Sequence, residues 1–176
     1  MKAKRANSLV YLALCLLLAV VALLAFLNRG DAGLKRALAE NREFQILTDG
    51  RFTATVGLQT LLDLDPQEFQ TSLSTSIAAP RDVQLRGVEL RLLLESLGIS
   101  LDNASHIVVS GLDGYSSPLS REETERPEQI YICFAMDGEV LKTQSEGGFG
   151  PFLMVVRGAR FAQRWCKYVE SVDVVS

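Results

Sequence analysis

The sequence predicts a mixed α/β domain of the α+β kind, carried behind a single transmembrane helix, and three observations predict it. Residues 9–27 form an uncharged apolar run of 19 residues. Beyond that run, short stretches alternate apolar and polar residues about two Asp-Gly pairs, the mark of β-hairpins. Among these stretches Val88, Leu90, Leu93, Leu94 and Leu97 fall at helical spacing and stop at Gly98. Strands interleaved with short helices over about one domain's length of chain give the fold class.

The apolar run comes first. At about 1.5 Å rise per residue it makes a helix of roughly 28 Å, close to the thickness of a bilayer core. Lys2, Lys4 and Arg5 precede it, and the positive-inside rule then places residues 1–8 in the cytoplasm and everything after Asn28 on the other side. A cleaved signal peptide would have a shorter apolar core ending in small residues, which Ala25-Phe26-Leu27 does not supply. Leu14 before Cys15, and an apolar run continuing well past it, do not suit a lipoprotein site. The expected organisation is therefore a cytoplasmic N-terminus at residues 1–8, an anchor at 9–27, a juxtamembrane spacer at 28–42 and a domain at 43–176. The corresponding location is a bacterial inner membrane, with the domain in the periplasm.

The strands and helices follow in order. Residues 43–48 and 51–56 make a hairpin about Asp49-Gly50, with Phe44, Ile46, Phe52, Ala54 and Val56 keeping period two. A short helix at 58–62 stops near Pro66. Phe69, Thr71, Leu73, Thr75 and Ile77 alternate with polar neighbours as a strand, and the helix from Val88 to Leu97 comes next. A strand at 106–110 runs into Asp113-Gly114-Tyr115. Residues 131–136 and 139–142 flank Asp137-Gly138 as a second hairpin, and 152–156 and 165–174 supply the last strands.

Charge and cysteine usage narrow the function. All 21 acidic residues follow Asn28, but with Lys2, Lys4 and Arg5 ahead of the run only 15 of the 18 basic ones do, so the exported part carries a net charge near −6. That balance excludes a nucleic-acid footprint and gives no polybasic patch for lipid headgroups. Cys15 lies in the anchor. Cys133 and Cys166 lie in predicted strands, where they are either a disulfide permitted by an oxidising compartment or two buried thiols acting as small hydrophobes. Two thiols and a lone histidine, His106, do not make a structural zinc site.

Several pieces read in order resemble the molybdopterin-binding domain of the sulfite oxidase family. Gly87-Val88-Glu89-Leu90 with Leu93-Leu94 is similar to that family's strand-to-helix motif, and Asp113-Gly114-Tyr115-Ser116 to its D-G-Y-S turn. Residues 134–141 match its next hairpin loosely. Gly147-Gly148-Phe149-Gly150-Pro151 leading into 153–156 matches its glycine-rich strand entry, and Trp165, Lys167, Tyr168, Val169, Val172 and Val174 its closing strand. The likeness covers roughly residues 44–174. It implies the family's fold, a molybdopterin cofactor and oxidoreductase activity, with a cysteine thiolate on the metal shortly after the early strand.

The chain departs from that pattern where the metal would sit. Residues 72–80, Ser-Leu-Ser-Thr-Ser-Ile-Ala-Ala-Pro, offer hydroxyls and no thiol, and a hydroxyl is a poor substitute for a soft thiolate. The N-terminus also lacks the adjacent arginine pair of a signal that exports folded, cofactor-loaded proteins. Both points favour a domain that keeps the fold without the metal. Arg157, Arg160, Arg164 and Lys167 cluster where the resemblance places the pterin phosphate. They are either a retained pocket for a small anionic ligand or a solvated charged loop. Gly147, Gly148 and Gly150 either admit a ligand to the backbone or shape a turn, and Asp113 and Tyr115 read as turn chemistry. Glu122, Glu123 and Glu125 are an exposed acidic run without catalytic spacing.

Two functional expectations follow. One is a membrane-tethered extracytoplasmic module that binds a ligand or a protein. Its tail at residues 1–8 is too short to signal, so a separate membrane protein would be its partner. The other is a molybdopterin oxidoreductase with an atypical ligand set.

Overall fold

The computed structural model describes residues 14–21, 41–73, 80–158 and 164–176. The chain divides into two units, Met1–Ala37 and Leu38–Ser176. In the first, residues 14–21 are helical; the rest of the expected anchor lies outside the described residues. Among the described residues no helix is long and apolar enough to cross a membrane.

The second unit is built from two five-stranded sheets. Both expected hairpin turns are present. Asp49-Gly50 joins β1 (Glu43–Thr48) to β2 (Arg51–Gly57), and Asp137-Gly138 joins β7 (Ile130–Met136) to β8 (Glu139–Val140). All four turn residues have φ between 51° and 83°, the left-handed pair that Asp and Gly tolerate and that matches strand twist. The short helix α1 (Leu58–Leu62) follows β2. Then β3 (Gln67–Leu73) and β4 (Arg81–Glu89) pair antiparallel along their length. The strand expected to reach residue 77 is described only to Leu73.

The helix expected from Val88 starts at Leu90 instead. Val88 and Glu89 still belong to β4, opposite Ile132 and Tyr131, and α2 is Leu90–Ser96. Its buried Leu90, Leu93 and Leu94 face the core, and Val88 matched their spacing only because it reaches the same core from the strand end. Next come β5 (His106–Gly111), β6 (Ser116–Ser120) and the short helix α3 (Arg121–Glu125), which Ser120 caps by accepting from the Glu123 amide at 3.1 Å. After β8, a 3-10 turn at Gln144–Glu146 leads to β9 (Leu153–Val156) and β10 (Val169–Val175).

One sheet runs β2-β1-β10-β5-β6 and the other β3-β4-β7-β8, with β9 pairing β7 as well. β1 and β10 are parallel, Gln45 opposite Ser171 and Thr48 opposite Val174. Residues of both sheets make the main core. Phe44, Ile46, Ile107, Val109, Val172 and Val174 come from the first sheet, and Val88, Ile132, Phe134, Met154 and Val156 from the second. Within it the Phe44 and Phe152 rings meet edge-on with centroids 5.0 Å apart.

Alternation along β7 produces a second cluster. Ile130 and Ile132 face the main core, whereas Tyr131 and Cys133 point to the opposite side of their sheet. There they join Phe69, Leu73, Val83, Leu85, Leu153, Val155 and Trp165. A strand buried on both faces reads as one continuous apolar run, as Ile-Tyr-Ile-Cys-Phe-Ala does here.

Candidate functional site

The second face of the β3-β4-β7-β9 sheet is the candidate site, because both segments singled out by sequence border it. Leu73, the last described residue before 74–79, belongs to its apolar cluster, and so does Trp165, just after 159–163. Trp165 is 6% exposed and donates its indole N–H to the Val156 carbonyl at 3.4 Å. Arg157, the first residue past β9, lies over the same cluster. Its guanidinium carbon is 4.9 Å from the Phe69 centroid and 5.8 Å from that of Tyr131, and the two rings are themselves 4.5 Å apart. The Arg157 amide donates to the Gln129 carbonyl at 2.8 Å and Nη1 to Glu128 at 3.1 Å, which fixes its direction. Burial and the nearby Glu89 carboxylate push the Tyr131 phenol above its ordinary range.

Of the four expected cations, Arg157, Arg164 and Lys167 are described, and each has its own partner. Arg157 is stacked as above. Arg164 makes a two-pronged ion pair with Glu123, at 2.5 and 2.8 Å. Lys167 sits with Nζ 4.5 Å from the Phe149 centroid. Arg160 lies outside the described residues. The acidic run thus has a partner: Glu123 belongs to Arg164, with its side chain only 17% exposed. Sequence could not pair them, since the two stand 41 residues apart.

The hydrogen bonds from Arg164 hold the Glu123 carboxyl below the usual carboxylate range. A group whose folded pKa is depressed contributes stability above its unfolded value and loses it as pH falls through the folded one. Glu123→Gln should therefore cost about 1 kcal/mol at pH 7, a figure kept small by the exposure of Arg164. The gap to wild type should close in acid. Urea denaturation at a series of pH values reads this, and a gap that widens in acid would refute it.

The glycines and the D-G-Y-S turn serve the chain itself. A Cβ on Gly148 would lie 2.2 Å from the Lys142 carbonyl oxygen, so backbone already occupies the space a ligand would need. Gly147, at φ 77°, ends the 3-10 turn. Asp113 accepts from the Tyr115 amide at 3.1 Å, and the Gly111 amide donates to the Tyr115 carbonyl at 2.8 Å, as turn chemistry predicts. His106 sits at the start of β5 with Nδ1 2.8 Å from Ser105 Oγ.

Of the two readings of Cys133 and Cys166, the structure has the buried thiols and not the disulfide: both are free. Cys133 faces the second cluster and Cys166 the main core, opposite sides of one sheet, so their sulfurs point apart. Burial pushes the Cys166 thiol up to about 12, with Asp113 adding to it, and burial alone pushes Cys133 up as well. A Cys15→Ser chain should show no thiol reactive toward an aromatic disulfide reagent until it is unfolded. Two should then titrate without reductant; fewer would restore the bridge.

The arrangement of strands, glycine-rich entry and closing strand matches a known family over residues 52–176, that of the oxidoreductase molybdopterin binding domain. The chain belongs to this family. Its fold is similar to that in the crystal structure of the sulfane dehydrogenase SoxCD from Paracoccus pantotrophus, with a TM-score of 0.62 at 15% identity. That likeness covers 78% of this chain and 39% of the other, so the chain spans well under half of that protein. No curated protein matches the sequence.

Family membership makes this a molybdopterin-binding, oxidoreductase-type domain and raises the question of whether its own residues fit the cofactor. For the metal they do not. The whole chain has three cysteines, at 15, 133 and 166, and none in residues 72–80. The two in the domain are buried thiols whose ionisation burial opposes, whereas a soft metal ligand must be an accessible thiolate. Among the described residues no group of three His, Cys, Asp or Glu side chains converges as a metal site.

Proposed function

We propose that this member of the family works without the metal, as a membrane-tethered extracytoplasmic module that binds a small ligand or a protein. The observation that carries the reading is the second face of the β3-β4-β7-β9 sheet. The chain's own Phe69, Tyr131 and Trp165 fill it, Arg157 lies across it, and its one cysteine, Cys133, is a buried thiol. Tethering rests on the apolar run at 9–27 behind Lys2, Lys4 and Arg5, which also supports the bacterial inner membrane and a periplasmic domain. A cytoplasmic tail of residues 1–8 would leave signalling to a membrane protein partner.

The test is to purify the native membrane-anchored protein, measure molybdenum by elemental analysis, and assay oxidised pterin by fluorescence. Neither should be found. Near-stoichiometric metal would overturn the proposal and make the chain an oxidoreductase with an atypical ligand set.

A further inference from the structure

A cavity of about 240 Å³ lies on the other side of the same sheet, away from the candidate site. Leu58 and Leu62 of α1 form one wall, Phe134 and Ala135 of β7 line the floor, and Val140 stands at the rim. Its shape comes from a β-bulge. Arg86 pairs with Ala135 and Gly87 with Cys133, which leaves Phe134 as the extra residue. The bulge turns both Phe134 and Ala135 toward the same side, and bulges are a common means of re-aiming a side chain beside a site.

Two opposite charges stand at the mouth of this apolar hollow. Glu68 and Arg86 are directly opposite each other on β3 and β4 and so share a face. They do not pair. Gln84 donates to one Glu68 oxygen at 2.8 Å, and the Arg86 guanidinium lies 5.8 Å from the Phe134 centroid with no carboxylate partner among the described residues. The site thus offers a free guanidinium, a carboxylate oxygen and an apolar floor. Cavities of about 150 Å³ hold a benzene, so this one admits a ring or branched chain with a few polar atoms attached.

We infer that the cavity binds a free α-amino acid with an apolar side chain, its carboxylate on Arg86, its ammonium on Glu68 and its side chain against Phe134. A single-charge ligand would satisfy one group and leave the other facing a like charge or nothing. The inference deepens the ligand-binding reading above and rests on it.

Calorimetric titration of the full chain in detergent tests it, with L-leucine, L-phenylalanine, glycine, 3-phenylpropionate and phenethylamine as probes. Leucine or phenylalanine should bind saturably, and the other three at least about tenfold more weakly, the equivalent of roughly 1.4 kcal/mol. Arg86→Met and Glu68→Gln, both at exposed strand positions, should each weaken binding by at least about tenfold and leave the melting temperature near wild type. The idea is overturned if neither amino acid binds, if 3-phenylpropionate binds as tightly as phenylalanine, or if Arg86→Met changes nothing. A metal-free protein that binds no amino acid would fail this inference alone, whereas bound molybdenum would fail the reading beneath it.

Discussion

Gly87→Ala should unfold the domain or lower its stability by at least about 3 kcal/mol, roughly 10 °C or more in melting temperature. A Cβ at this position would sit 2.5 Å from the Ile132 carbonyl oxygen, 2.7 Å from Cys133 Cα and 2.9 Å from Cys133 Sγ. Two of these three atoms are backbone in β7, which is paired with strands on both sides and has no room to retreat. Relief would require opening the bulge, and with it the seating of Phe134 in the main core. Other glycines, such as Gly50, have open space around them, so the cost is particular to this crossing. Thermal and urea denaturation followed by circular dichroism measure it, and a loss under about 1 kcal/mol would show that the β4–β7 contact is looser than described.

Trp165→Ala should cost about 3–5 kcal/mol, the usual range for deleting a buried aromatic side chain. The indole is nearly enclosed, and it closes the face that Phe69, Tyr131 and Arg157 otherwise cover from β3, β7 and the end of β9. The variant should also bind a hydrophobic dye in the absence of denaturant, because the exposed cluster contains Leu153 and Val155. Trp165→Phe should recover more than half of the loss. Urea melts followed by circular dichroism serve here, since this is the chain's only tryptophan. If the alanine variant were as stable as wild type and bound no dye, the face would not depend on Trp165 for closure, and the observation behind the metal-free reading would weaken.

Local chemistry was legible in the sequence; meetings between distant segments were not. Asp-Gly pairs at 49–50 and 137–138 announce their hairpins because few other residues tolerate that backbone. The order of Gly87-Val88, Asp113-Gly114-Tyr115-Ser116 and Trp165 identified the fold because each piece sits at a junction between elements. β6 escaped notice because Ser116-Ser117-Pro118-Leu119-Ser120 has the composition of a loop. It forms a strand only at the edge of its sheet, where proline costs no ladder hydrogen bond. The facing of Cys133 and Cys166 depends on which side of one sheet each residue occupies, and nothing local encodes that. Likewise Arg157 and Arg164 read as free cations until the fold brings Glu128 and Glu123 to them.

The parallel pairing of β1 with β10 bears on how the domain is made. Glu43–Thr48 is the first strand of the domain to leave the ribosome, yet one of its two neighbours, Val169–Val175, is the last of the domain's strands. Until then the β1–β2 hairpin is a two-stranded ribbon, marginal on its own in water, with an open edge. The sheet therefore closes only after synthesis of the domain is nearly complete, and such long-range closure is intrinsically slow. A nascent chain carries that unpaired edge until the closing strand arrives, and the stretch most in need of a chaperone is the domain's first hairpin.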